Sequence, residues 1–198
     1  PDDKKNWDGL DLPWMAFGYG ISLTPLQILT FYNAVANNGV MIKPRFIREV
    51  RQYNKTIEEF DIKVLSKSIC SNKTISIVKN MMKNVVEKKH GTAHNIYSED
   101  ISLAGKTGTC QTDYWKESGL YISSFVGYFP ADKPKYSCAV VIHKPNKNKG
   151  YYGNIVAAPV FKEIAQKINS VTPQKENYWD KAQSRQKKPC EQHMLWDL

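Results

Sequence analysis

The sequence predicts an α/β (α+β) fold: an antiparallel sheet covered by helices. Three observations predict it. Two helical patterns with start and stop signals precede residue 92, three strand-like segments run in succession from Ile101 to Lys144, and a last helical pattern follows. Strands joined by short, turn-rich connections pair antiparallel. Apolar residues make up 41% and charged residues 24% of the 198, a balance that supports a packed core and excludes a disordered chain.

In chain order, Pro1 to Gly20 reads as irregular and aromatic, with Trp7, Trp14, Phe17 and Tyr19. A helix is expected from about Pro25 to Asn37. Thr24 can cap it, Pro25 suits the first helical position and Gln27 completes a capping box. Leu26, Leu29, Tyr32 or Asn33, and Ala36 give its apolar spacing, and Asn38-Gly39 ends it, Gly39 supplying the left-handed residue. Val40 to Ser71 reads as extended and loop segments, with short strands at Val40 to Ile42 and Phe46 to Tyr53.

A second helix is expected from about Lys73 to Lys88, with Ile75, Val78, Met82 and Val85 as its apolar stripe. Lys88, Lys89 and His90 load its C-terminal end, where the helix dipole favours cations, and Gly91 stops it. The strands are placed at Ile101 to Gln111, Tyr121 to Phe129 and Tyr136 to Lys144, the last two joined by the turn residues 130–135. The final helix buries Phe161, Ile164, Ala165 and Ile168, and Pro159 must lie in its first turn. Residues 1–171 are therefore read as one unit and 172–198 as a polar, mobile tail.

The bulk properties exclude several functions. A net charge of +9 can attract acidic partners, but the basic residues are spread over helix faces and the tail without the aromatic-spaced patch of a nucleic-acid binder, so nucleic acid is not expected. Cys70, Cys110, Cys138 and Cys190 form no zinc spacing and no disulfide framework, and Cys110 and Cys138 read as small core residues on strands. His90 and His94 flank a turn, His143 ends a strand and His193 lies in the tail, so no metal and no cofactor is expected. No run approaches the ~20 apolar residues of a membrane span. The chain begins at Pro1 and is read as a fragment or processed product.

The chemistry-bearing run is Leu103-Ala104-Gly105-Lys106-Thr107-Gly108-Thr109. Glycine inside a strand marks a bulge or a close approach of backbone. Glycines on either side of a lysine and two hydroxyls suit a strand edge that receives a peptide-like ligand by strand addition. The ammonium and hydroxyls can hold a carboxylate, and an N–H beside Gly108 can face an oxyanion. A lysine-threonine-glycine triplet alone recurs by chance and fits a plain strand with a tight packing spot. The surrounding sequence decides between the two.

Gly18-Tyr19-Gly20, Thr24-Pro25-Leu26-Gln27 and Asn37-Asn38-Gly39 resemble the segment after the second motif of class B penicillin-binding proteins. Gly91-Thr92-Ala93, the Lys106 run itself, 125–130, Tyr152-Gly153 and 157–161 resemble later segments of the same family, in order over about 12–168. The wording of 12–15 and 31–34 is similar to the cell-division type. The resemblance implies an incomplete penicillin-binding transpeptidase and serine β-lactamase-like fold. It implies a peptidoglycan D,D-transpeptidase that uses a serine acyl-enzyme and no cofactor. Its partners would be stem peptides, β-lactams, the upstream half of the same domain and division-machinery proteins. Its location would be the extracytoplasmic face of the inner membrane, with an upstream anchor.

By that resemblance Lys106 organises charge and hydrogen bonds. Thr107, Gly108 and Thr109 bind the terminal carboxylate of a stem peptide or β-lactam, and the Thr109 N–H is an oxyanion donor. The nucleophile motif, Ser-x-x-Lys, would lie upstream of this chain. One such spacing, Ser76-Ile77-Val78-Lys79, is rejected: Ser76, Lys79, Asn80 and Lys83 fall mostly off the apolar stripe and toward water, where no shielded cleft exists. The alternative readings are a serine β-lactamase or penicillin-sensing domain, and a non-catalytic basic module for nucleic acid or wall polymer.

Overall fold

The computed structural model describes residues 9–16, 18, 20–112 and 120–172. Helix α1, Asp11–Ala16, occupies a stretch expected to be irregular. Asp11 complements the dipole of its first turn, and Pro13 sits there too, where N–H groups have no partner in any case. None of its residues is buried.

Helix α2, Pro25–Ala36, has the expected capping box: the Gln27 N–H donates to Thr24 Oγ1 at 3.3 Å, and the Thr24 N–H donates back to Gln27 Oε1 at 2.8 Å. It ends with Asn38 and Gly39 both left-handed, at φ 53° and 89°. Its buried residues are Ala34 and Val35; of the expected stripe, Tyr32 and Ala36 pack partly buried against the same core, whereas Leu26 is 41% exposed. Only the C-terminal half of the helix reaches the core, where Val35 meets Ala104 and Tyr128.

The next segment is a two-stranded ribbon. Strand β1, Met41–Ile42, pairs antiparallel with β4, Val64–Ser66, and β2, Glu49–Gln52, pairs antiparallel with β3, Lys55–Glu59. Between the two pairs the Lys43 N–H donates to the Lys63 carbonyl and the Phe60 N–H to that of Arg48. The strand expected at Phe46 to Tyr53 is thus shorter. It stops at a turn whose residues Tyr53 and Asn54 are both left-handed, at φ 46° and 63°, as a two-residue hairpin turn requires.

Helix α3, Asn72–Glu87, is capped by Ser71, which accepts from the Thr74 N–H at 3.2 Å. Ile75 and Met82 are buried and Val78 and Val85 partly so, as the stripe requires; Val86 adds to them. The chain then folds back on the helix end, the Ala93 N–H donating to the Val85 carbonyl at 3.0 Å. A Cβ at Gly91 would meet the carbonyls of Val85 and Asn84, so only glycine permits this approach.

Strands β5, Ala104–Thr112, β6, Leu120–Phe129, and β7, Tyr136–His143, form an antiparallel sheet in that order. Thr107 faces Phe125, and Phe125 faces Val140. β5 starts at Ala104 and not at Ile101. Ile101 and Leu103 are buried as expected of strand residues, but Ser102 between them gives both its carbonyl and its hydroxyl to the Ala131 N–H, at 2.9 Å each. Cys110 is exposed, contrary to its reading as a core residue; Cys138 is half-buried, and burial pushes its thiol pKa up.

A short helix α4, Gly153–Val156, leads to α5, Ala158–Val171, with Pro159 in the first turn. Phe161 and Ala165 of α5 cover one sheet face, where Phe161 stacks edge-on against Phe125 and Phe129 at 4.8 and 5.6 Å between centroids. α2 and α3 cover the other, through Val35 and Met82 against Ala104 and Tyr128. The sheet is therefore antiparallel and clad by helices on both faces. Residues 173–198, read as a mobile tail, lie outside the described residues, as do Cys190 and His193.

Candidate active site

β5 pairs with β6 along one side, and among the described residues no strand pairs along the other. The run Lys106-Thr107-Gly108-Thr109 lies in the middle of this open strand. Strand alternation puts Thr107 and Thr109 on one face and Lys106 and Gly108 on the opposite one. Pairing with β6 runs through both glycines without a bulge, and both fit tightly. A Cβ at Gly108 would lie 2.5 Å from Ser124 Oγ, and one at Gly105 would lie 2.6 Å from the Phe125 ring.

Each of the two threonine hydroxyls receives a hydrogen bond. The exposed Lys106 ammonium curls back to the Thr107 carbonyl at 2.8 Å and to Thr107 Oγ1 at 3.3 Å. Thr92 Oγ1, carried on the turn that folds back over α3, is also 3.3 Å from Thr107 Oγ1. Thr109 Oγ1 accepts from the Gly153 N–H at 3.1 Å. A hydroxyl has one proton to give and lone pairs to spare, so donors already in place leave it ready to donate to an anion.

The Thr109 end is walled by tyrosines. Tyr121 stacks on Tyr151 at 4.1 Å, Tyr151 packs on Tyr152 at 4.5 Å, and the Tyr151 hydroxyl donates to that of Tyr152 at 3.2 Å. That bond is the main reason the Tyr152 pKa is raised. Lys147 Nζ sits 5.3 Å from the centre of the Tyr121 ring. Ser123 Oγ donates to the Tyr151 carbonyl and anchors the wall to the sheet. On the Lys106 and Gly108 face an apolar trough of about 370 Å³ runs from Leu23 and Ile28 across Ile122 and Val126 to Val141.

The structure thus brings all four expected residues into one strand and adds Thr92, Gly153 and the tyrosines, to which no role was given from sequence. The available signals were the glycine before Thr92 and the glycine that opens the last helical segment, both in places where backbone must approach closely.

The rejected pair stays apart from this site. Ser76 is exposed on α3. Lys79 does not point freely to water as expected: its ammonium donates to the Ala36 carbonyl at 2.9 Å and to Asn38 Oδ1 at 2.7 Å, and burial lowers its pKa. Lys83 is likewise engaged, with Asp132 at 2.6 Å and Glu87 at 3.4 Å. His94 has a structural role, its Nδ1 3.0 Å from the Val86 carbonyl and its ring stacked on Tyr97. Among the described residues no group of three or more His, Cys, Asp or Glu is placed to hold a metal, and no helix is long and apolar enough to cross a membrane.

Residues 2–166 match the sequence family described as the penicillin binding protein transpeptidase domain. Among curated relatives, the chain is 35% identical to the peptidoglycan D,D-transpeptidase FtsI of Buchnera aphidicola subsp. Baizongia pistaciae, over 84% of this chain and 28% of that protein. It is 36% identical to penicillin-binding protein H of Bacillus subtilis, over 65% of this chain and 19% of that protein. Among solved structures, penicillin binding protein 3 of Mycobacterium tuberculosis superimposes with a TM-score of 0.71 at 28% identity, over 84% of this chain and 39% of that one. The chain therefore spans 28% and 19% of the length of these two curated relatives.

Proposed function

The chain belongs to the penicillin-binding protein transpeptidase family, and on that premise we propose that it forms the substrate-clasping side of a peptidoglycan D,D-transpeptidase of the class B, cell-division type. One observation carries this reading. A strand edge with no pairing partner among the described residues presents Lys106 and two hydroxyls, each hydroxyl already receiving a hydrogen bond, in a row that fits the acid end of an extended peptide.

In the proposed reaction a stem peptide lies along β5. Thr107 and Thr109 donate their hydroxyl protons to its terminal carboxylate, and the Lys106 ammonium adds positive charge beside them. A serine supplied by the upstream half of the domain attacks the penultimate D-Ala carbonyl. The C–N bond breaks, the terminal D-Ala leaves as an amine, and an ester to the serine remains. The Thr109 N–H stabilises the oxyanion of the tetrahedral intermediate. An amine of a neighbouring stem peptide then attacks the ester, forms the cross-link and releases the serine. A β-lactam enters the same place because its carboxylate and strained amide match the peptide end; the Mycobacterium tuberculosis relative has been solved in complex with aztreonam.

We assign the nucleophile and a membrane anchor to the upstream part of the polypeptide, the catalysis to the extracytoplasmic face of the membrane, and residues 1–171 to the domain. Division proteins would be its assembly partners. The apolar trough beside Gly108 supports the assignment of an upstream partner, since an exposed apolar sheet face of this kind calls for a cover.

Labelling with a fluorescent penicillin tests the proposal. The chain alone should remain unlabelled, and the longer polypeptide should form a stable adduct. In that polypeptide Lys106→Met should slow labelling by about a hundredfold or more. A labelled isolated chain would transfer the nucleophile into it, and fast turnover of a chromogenic β-lactam would favour a β-lactamase instead.

A further inference from the structure

The hydroxyl of Thr109 has an unusual partner for a side chain on an open strand. The donor is the main-chain N–H of Gly153, 3.1 Å away, from a residue that is itself buried. That N–H is fixed from both sides. Before it, the Tyr151 carbonyl is held by Ser123 Oγ. After it, the Gly153 carbonyl accepts from the Ala157 N–H at 3.0 Å and the Asn154 carbonyl from Asn95 Nδ2 at 2.7 Å. The approach depends on glycine: a Cβ at residue 153 would stand 2.5 Å from the Ser124 carbonyl oxygen and 2.6 Å from that of Gly108.

We propose that Gly153 is a positioning residue for carboxylate recognition: its N–H occupies a lone pair of Thr109 Oγ1 and so turns that hydroxyl's proton outward to the carboxylate of the bound ligand. The proposal rests on the reading of Thr109 as a carboxylate ligand. With one lone pair engaged by a fixed donor, the hydroxyl loses its freedom to rotate its proton inward, and a hydroxyl that accepts a bond donates a stronger one. The two threonines are then unequal. Thr107 is oriented by side chains that can move, the Lys106 ammonium and the Thr92 hydroxyl, whereas Thr109 is oriented by main chain. Thr109 is the pre-set half of the clasp and Thr107 the adjustable half.

The experiment compares acylation of the longer polypeptide by benzylpenicillin and by its methyl ester, which lacks the carboxylate; the ratio of the two rates is the readout. Thr109→Val should lower the ratio and Thr109→Ser should retain it. Gly153→Ala should lower the ratio by about tenfold, the worth of one oriented hydrogen bond. The double variant should lose no more than Thr109→Val alone, because both act through one hydroxyl. Equal slowing of both compounds by Gly153→Ala, or additive losses in the double variant, would make Gly153 a packing residue and overturn the proposal.

If Gly153→Ala does not fold, glycolate in place of Gly153 removes the N–H and adds no atom, and its ratio is read in the same way. An unchanged ratio in Thr109→Val would bring down the carboxylate reading together with this proposal. A reduced ratio in Thr109→Val with an unchanged one in the Gly153 variants would remove only the proposal.

Discussion

The ammonium of Lys79 donates to the main-chain carbonyl of Ala36, 2.9 Å away, and thereby ties the middle of α3 to the last turn of α2. The final carbonyls of a helix have no partner within it, and a cation there also meets the negative end of the dipole. Lys79→Met should therefore destabilise the longer polypeptide by about 1–3 kcal/mol, measured by urea unfolding. Ser76→Ala, one turn away and exposed, should change stability by less than about 0.5 kcal/mol and leave penicillin labelling intact. Loss of labelling in Ser76→Ala would reinstate that serine as a nucleophile.

Lys83 and Asp132 predict a pH dependence. Lys83 holds the Asp132 carboxyl below its ordinary pKa, with Ser102 contributing, and Asp132 holds the Lys83 ammonium above its own, with Glu87 contributing. The depressed Asp132 stabilises the fold above the ordinary carboxylate range, and this is lost as pH falls through the depressed value. The raised Lys83 stabilises it below the ordinary lysine range, and this is lost as pH rises through the raised value. Both contributions are present at neutral pH. Asp132 is largely exposed, so Asp132→Asn should cost less than about 1 kcal/mol at neutral pH. That difference should shrink as pH falls through the depressed Asp132 value and be gone once that carboxyl is protonated in the folded protein. A difference that persisted in acid would rule out the ion pair as its source.

Gly127 of β6 lies across from Gly105, and a Cβ there would collide with the Ala104 carbonyl and the Gly105 Cα. Both obstacles are backbone of β5, the strand proposed to clasp the substrate, and cannot step aside. Gly127→Ala should cost about 3 kcal/mol or more, near the upper end for an overpacked site. It should also slow penicillin acylation, because β5 must shift to admit the methyl group. A melting temperature equal to that of the parent would mean the two strands separate easily.

Tyr128 offers the opposite sign. Its ring is fully buried against Val35, Met82 and Ala104, and its hydroxyl has no hydrogen-bond partner among the described residues. Burial, together with the charge of Asp132, pushes its pKa to about 12. Tyr128→Phe keeps the ring and removes the stranded hydroxyl, so stability should hold or rise by up to about 1 kcal/mol. A loss above that would show that the hydroxyl is satisfied in solution.

The strand bearing Lys106 was legible because glycines inside an otherwise strand-like run have few explanations, and its three-stranded setting followed from the turn residues 130–135. The capping box of α2 was legible because it is local. What α2 buries was legible in part: Tyr32 and Ala36 pack on the core as the stripe requires, but periodicity does not tell which turns reach it, and Leu26 lies largely exposed. The ribbon turn was hidden because Tyr53 and Asn54 adopt left-handed angles without a glycine to announce them. At the site, Lys106, Thr107, Gly108 and Thr109 are neighbours in sequence. Thr92 and Gly153 are brought to them by the fold alone, from 15 and 44 residues away along the chain.

The ribbon between Met41 and Ser66 has a practical use. Its tip, where Tyr53 is 94% exposed, is held among the described residues by its own two strands. Backbone in such a place tolerates inserted residues well. A short peptide handle or a fluorophore placed between Tyr53 and Asn54 should leave β5 undisturbed, which makes this the natural point from which to image or immobilise the protein while the open edge of β5 stays free.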